Sequence, residues 1–166
     1  VTTPAADIAA AWRRERPGAP TDSVELFTPI VRLAKLLTDD RTRVLRAAGI
    51  DSATLDLLSV LRRAGPPYKL TTRELAERTL VTAGAISQRV ARAETEGLVT
   101  RAPDPSGHKA VAVTLTNAGH EVIERSVDAV LSRDSELAGG LSAEEREVLI
   151  PLLVKLETSV RSRAAA

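Results

Sequence analysis

At 166 residues and a formal net charge of +1, the chain is long enough for one domain with a substantial core, or for a domain with dimerisation arms. The absence of cysteine excludes disulfides, thiolate metal sites and thiol redox sensing, and two well-separated histidines, His108 and His120, argue against a histidine metal site. No run reaches the length of a membrane span and no charged-then-apolar leader opens the chain, so a cytoplasmic protein is expected.

Thr3-Pro4 reads as a cap followed by proline at the first helical position, opening a helix through Arg16. Pro17-Gly18-Ala19-Pro20 breaks it. A long helix then spans Ser23 to Ala47, with Leu26, Ile30, Leu33 and Leu37 in one stripe, and Pro29 either kinks it or marks its true start. Asp51 caps a helix over Ser52 to Ala64, ended by Gly65 and an extended Pro-Pro-Tyr. Thr71-x-x-Glu74 is a capping box, and the helix behind it carries Leu75, Ala76 and Leu80 on its apolar side up to a turn at Val81. A second helix runs from Thr82 to Glu96 and closes on Gly97. Val99–Arg101 and Ala110–Leu115 read as strands, the second with Val111, Val113 and Leu115 facing in, joined by a loop rich in Pro, Asp and Gly. A helix from Asn117 reaches Gly139-Gly140. Ser142-x-x-Glu145 then caps a last helix bearing Leu149, Leu152, Leu153, Leu156 and Val160.

Two short helices, then a cationic hairpin, form the layout of a winged helix-turn-helix, which places one helix in the major groove and a wing beside it. The predicted fold is mainly α, with a small β-hairpin wing and a helical dimerisation lobe. Its parts are N-terminal helices over 1–50, a DNA-binding head over 51–116 and C-terminal dimerisation helices over 117–166. Charge follows that division. Arg62 to Lys109 holds nine Lys/Arg against five Asp/Glu, whereas Asn117 to Val160 holds four against nine. Phosphate contacts need a local basic surface, and the near-neutral whole conceals one.

In the helix from Thr82, Ile86, Val90 and Ala93 lie in one arc and face the core. Gly84, Gln88, Ala91 and Thr95 point away, flanked by Ala85, Ser87 and Arg92. Gln88 can pair with adenine, Arg92 can serve guanine or phosphate, and Ser87 either. Arg89 falls at the edge of the buried arc, where it must find an acidic partner or an anionic ligand. The helix from Ser52 poses the same problem: Leu55, Leu57, Leu58, Val60 and Leu61 surround it, yet it carries Asp56 and Arg63 seven residues apart on one face. They form either a structural ion pair with outside partners or part of a polar cavity. Trp12, the only tryptophan, reads as a packing anchor.

ELAERTLVTAGAISQRVARAETEGLVTRAPDP followed by VAVTLTNAG resembles the MarR (multiple antibiotic resistance regulator) family of dimeric winged-helix repressors, over nearly the whole chain. WRRERPGAPTDS, TLDLLSVLRRAGPPYKLT and TAGAISQRV resemble more narrowly its urate-responsive branch, which has an added N-terminal helix. The resemblance implies a urate site formed by Trp12, Asp56, Arg63 and Arg89. It also implies a wing whose Asp-Pro is followed by Asp and then an Arg that enters the minor groove. Here Gly107 and His108 stand in those places, and Lys109 is the remaining cation.

The residues expected to meet DNA are therefore Thr82, Ala83, Ala85, Ser87, Gln88 and Arg92 on the helix, and His108 and Lys109 on the wing. The expected protein is a homodimeric repressor released from a pseudo-palindromic operator by urate or a similar small anion. Alternatives are the same fold sensing a di- or tricarboxylate or a phenolic compound, or a winged-helix protein-interaction module without ligand. No nucleophile–base pair, phosphate-cradling glycine loop or metal-ligand spacing points to an enzyme or a cofactor.

Overall fold

The computed structural model describes residues 4–104 and 111–164, and among these lie seven helices and three short strands. The order is α1 (Pro4–Glu15), α2 (Val24–Ala47), α3 (Ser52–Arg63), β1 (Lys69–Thr71), α4 (Thr72–Thr79), α5 (Ala83–Thr95), β2 (Val99–Pro103), β3 (Val111–Leu115), α6 (Asn117–Ala138) and α7 (Ala143–Ala164). Two units divide the chain, Val1–Val127 and Asp128–Ala166, so the first takes in the N-terminal helices together with the head.

The helix starts follow from their caps. Asp51 stands in extended backbone and its carboxylate accepts the Thr54 amide at 2.8 Å. Thr71 and Glu74 satisfy each other's backbone amides at the start of α4, and Ser142 and Glu145 do so at the start of α7. Thr82 lies just outside α5 as its cap, accepting from the Ala85 amide at 3.3 Å. Pro29 marks neither end of α2, which runs through it, and α7 likewise runs through Pro151. No helix among the described residues is long and apolar enough to cross a membrane.

The amide of Thr54 holds the Asp51 carboxyl below its ordinary 3.8, with Arg92 adding to the effect, and the Thr71 amide holds Glu74 below 4.5. A depressed carboxylate contributes stability that is complete above its unfolded value and lost as pH falls through the folded one. Folding stability followed by urea titration should therefore fall as the pH drops below 4.5 and then 3.8.

The sheet has three antiparallel strands in the order β1-β3-β2, where the sequence reading expected a two-stranded hairpin. Leu70 pairs with Val113 on one side of β3, and Arg101 pairs with Val113 on the other. β3 does not follow the expected alternation: Val113 and Leu115 are buried, but so is Ala112, while Val111 is exposed. Leu80 also departs from expectation. It ends α4 in the left-handed conformation (φ 56°), off the periodic face, and is 72% exposed.

The core of the first unit forms where α3, α4, α5 and the sheet meet. Leu57, Leu58, Leu61, Leu75, Ile86 and Val113 have no exposed surface there. The start of α6 is clasped to the end of α5. Thr116 donates its hydroxyl to the Gly97 carbonyl at 2.7 Å and its amide to Leu98 at 3.1 Å. The same hydroxyl oxygen accepts the Gly119 amide at 3.0 Å, and a Cβ on Gly119 would stand 2.1 Å from the Leu98 carbonyl oxygen. Only glycine allows that approach.

Other apolar stripes find no cover among the described residues. Leu26, Leu33 and Leu37 on α2 are exposed, and α7 has no buried residue although it carries Val148, Ile150, Leu152, Leu153 and Val154.

Candidate DNA interface and ligand site

Ile86, Val90 and Ala93 anchor α5 in the core, each at most 2% exposed, which turns the opposite arc outward. Gly84, Ser87, Gln88, Ala91 and Thr95 are all exposed on it, with Thr82 and Ala83 exposed at its entry and Ala85 half-buried. The hydroxyl protons of Ser87 and Thr95 are engaged by the Ala83 and Ala91 carbonyls, leaving their oxygens as acceptors. Gln88 is exposed in the middle of this surface. His108 and Lys109 lie outside the described residues.

The expected DNA cation Arg92 is already held. Its Nη1 donates to Asp51 Oδ2 at 2.5 Å and its Nε to Glu96 at 2.9 Å. At the base of the wing, Arg101 donates Nε to Glu94 at 2.7 Å, tying β2 to the same helix.

Of the four residues assigned to a ligand, the structure brings two together. Arg89 Nη1 lies 3.7 Å from Asp56 Oδ2, across the packing of α5 on α3. That distance is too long for a hydrogen bond. The Arg89 side chain is three-quarters buried, and its Nη1 is a buried donor with no hydrogen-bond partner. Leaving such a group unsatisfied costs about 1–3 kcal/mol, more when it is charged. Asp56 is more than half exposed, so its attraction offsets only part of that cost. Arg63 is exposed on the same face of α3, its Nε donating to the Ser59 carbonyl at 3.2 Å. Trp12 follows the buried Ala5 and Ala9 on α1 but is 53% exposed, so it is not the packing anchor the sequence suggested.

A further cluster escaped the sequence reading. Arg62 donates to Glu124 at 3.0 Å and lies 5.1 Å over the Tyr68 ring, whose neighbour at 4.4 Å is the His120 ring, edge-on. It joins α3 to α6 through Arg62 and Glu124, 62 residues apart in sequence, a separation that periodicity cannot reveal. No group of three potential metal ligands occurs among the described residues.

A helix pair with an outward polar arc, followed by an antiparallel hairpin, defines a winged helix-turn-helix protein. A family model described as MarR family matches residues 48–110. The chain is 33% identical over 132 residues to an uncharacterized HTH-type transcriptional regulator of Bacillus cereus, covering 79% of this chain and 86% of that protein. It is 25% identical over 151 residues to the HTH-type transcriptional regulator PecS of Dickeya dadantii, covering 91% of each. Among solved structures it is similar to a mutant MarR from E. coli complexed with operator DNA, at a TM-score of 0.66 and 28% identity, over 81% of this chain and 98% of that one. The chain belongs to the MarR family of winged-helix transcriptional regulators, and its relatives are regulators, not enzymes.

Proposed function

We propose that this regulator is a homodimeric repressor that leaves its operator when urate or a similar small anion binds beside the recognition helix. The observation that carries the ligand reading is the buried Arg89 Nη1, without a hydrogen-bond acceptor although Asp56 lies 3.7 Å away. An anion supplying that acceptor would gain the missing bond and displace Asp56, and Arg63 on the adjoining face would give it a second cation. Trp12 would cover the ligand, as the resemblance to the urate-responsive branch implies. Arg89 stands on α5 itself, so occupancy favours one placement of the helix over another, which a switch requires.

The DNA part of the proposal is supported by the exposed Gln88 arc and by the likeness to a MarR protein solved on operator DNA. The uncovered stripes of α2 and α7 support dimerisation, with residues 1–50 and 117–166 supplying the dimer contacts around a head at 51–116.

The test uses the single tryptophan. Urate should quench Trp12 fluorescence and release the protein from a duplex taken from beside its own gene. Arg89→Ser should keep most of the DNA affinity and lose the urate response. Gln88→Ala should instead weaken DNA binding by about five- to a hundredfold at one base position of each half-site, with urate quenching intact. A parent protein indifferent to millimolar urate in both assays would sink the urate assignment, and retention of the response in Arg89→Ser would sink the site.

A further inference from the structure

Arg92 sits on the flank of the DNA-facing arc, and its guanidinium is engaged by two carboxylates of its own chain. Asp51 divides its oxygens between two tasks: Oδ1 accepts the Thr54 amide as the cap of α3, and Oδ2 accepts Arg92. Beside the pair opens a cleft of about 330 Å³, lined by Thr42, Arg46 and Ser52 as well as Asp51 and Arg92. The Thr42 hydroxyl proton is engaged by the Thr38 carbonyl, which leaves two guanidinium groups and the Ser52 hydroxyl beside one carboxylate as a donor set that also suits a phosphodiester oxygen. The carboxylate occupies the acceptor's place.

Magnitude decides whether the two acceptors can exchange. The Arg92 and Asp51 side chains are 58% and 42% exposed. An ion pair so open to water shifts an equilibrium by no more than about fivefold. A phosphate brought close by the rest of the head can therefore take the guanidinium.

We propose that Asp51 is an internal competitor for the phosphate contact of Arg92. In the free protein the carboxylate holds the guanidinium, and on the duplex Arg92 passes to a phosphate oxygen. Asp51 then recruits a solvent cation, which offsets the cation that the phosphate releases. The proposal rests on the DNA-binding reading above and is independent of the ligand. It makes Asp51 a residue that sets operator affinity without touching DNA.

Asp51→Asn separates the two tasks. Its oxygen can still cap Thr54, but its amide nitrogen then faces Arg92 and cannot hold it. Operator affinity should rise about two- to fivefold. An unrelated duplex should gain by the same factor, since phosphates carry no sequence. The slope of log affinity against log salt should steepen by about one per head, because Asp51 no longer takes up a cation. Asp51→Ser, also a good cap, should behave alike and serves if the first variant folds poorly. In an Arg92→Ala background, Asp51→Asn should bring no gain.

Three results would overturn the proposal: unchanged affinity and slope in both variants, a gain that persists without Arg92, or a gain confined to one base position. The second would mean that Asp51 merely repels DNA, and the third that Arg92 reads a base. A parent that binds no duplex would remove the DNA-binding reading and this inference together, whereas a parent that binds and ignores Asp51→Asn removes the inference alone.

Discussion

Gly119→Ala should lower the melting temperature by about 5–10 °C, the shift expected for a loss of roughly 2–3 kcal/mol in a chain of this size. In an exposed helix interior the same change adds stability, because glycine loses more backbone freedom on folding than alanine. The sign reverses here because the new Cβ would meet the Leu98 carbonyl oxygen at 2.1 Å, and the Leu115 side chain at 3.0 Å. A backbone oxygen cannot swing aside as a side chain can, so either the start of α6 or the end of α5 must move. The Thr116 bonds to Gly97 and Leu98 would stretch with it. Gly84 provides the matched control, since a Cβ there meets nothing within 4 Å. Differential scanning calorimetry of the two alanine variants should show opposite shifts. Equal melting temperatures for parent and Gly119→Ala would mean that the clasp yields freely.

Removing residues 142–166 should have the larger effect on function. Those residues contain α7, whose Val148, Ile150, Leu152, Leu153 and Val154 are all at least 47% exposed within the chain. If that surface is the dimer contact, sedimentation should find the truncated protein as monomer or aggregate. Operator affinity should fall by about a hundredfold or more, because the second head no longer binds at the high effective concentration set by the first. Two heads read half-sites roughly 34 Å apart only while something holds them together. A full-length protein that sediments as a soluble monomer at micromolar concentration would remove the two-headed arrangement.

The parts of the fold legible in the sequence were those with local causes. Capping boxes at Thr71 and Ser142, the Asp51 cap and the arc of Ile86, Val90 and Ala93 depend on neighbours within four residues. The parts that escaped depend on distant partners. Three residues, Lys69–Thr71, show no alternation to read, and they form a strand because β3 pairs with them. β3 has a partner on each edge, and Ala112 is buried off the apolar alternation, neither of which its own spacing reveals.

The candidate site divides the same way. The awkward setting of Arg89 was visible from helical geometry. Its closeness to Asp56 required the crossing of α5 on α3, and so did the capture of Arg92 by Asp51. Of the two acids that hold Arg92, Asp51 lies 41 residues earlier, beyond any local pattern, whereas Glu96 stands four residues on at a spacing the sequence displays.

The absence of any buried residue in α7 has a consequence for how the protein comes apart. A protein helix draws most of its stability from packing an apolar face, and α7 has no buried residue to supply it. If the proposed dimer contact supplies that cover, folding of the segment and association become a single equilibrium. Mass action governs such an equilibrium, so the melting point of the proposed dimer would become a function of how much protein is in the tube. Dilution would loosen α7 while the head, with its own core, stays folded.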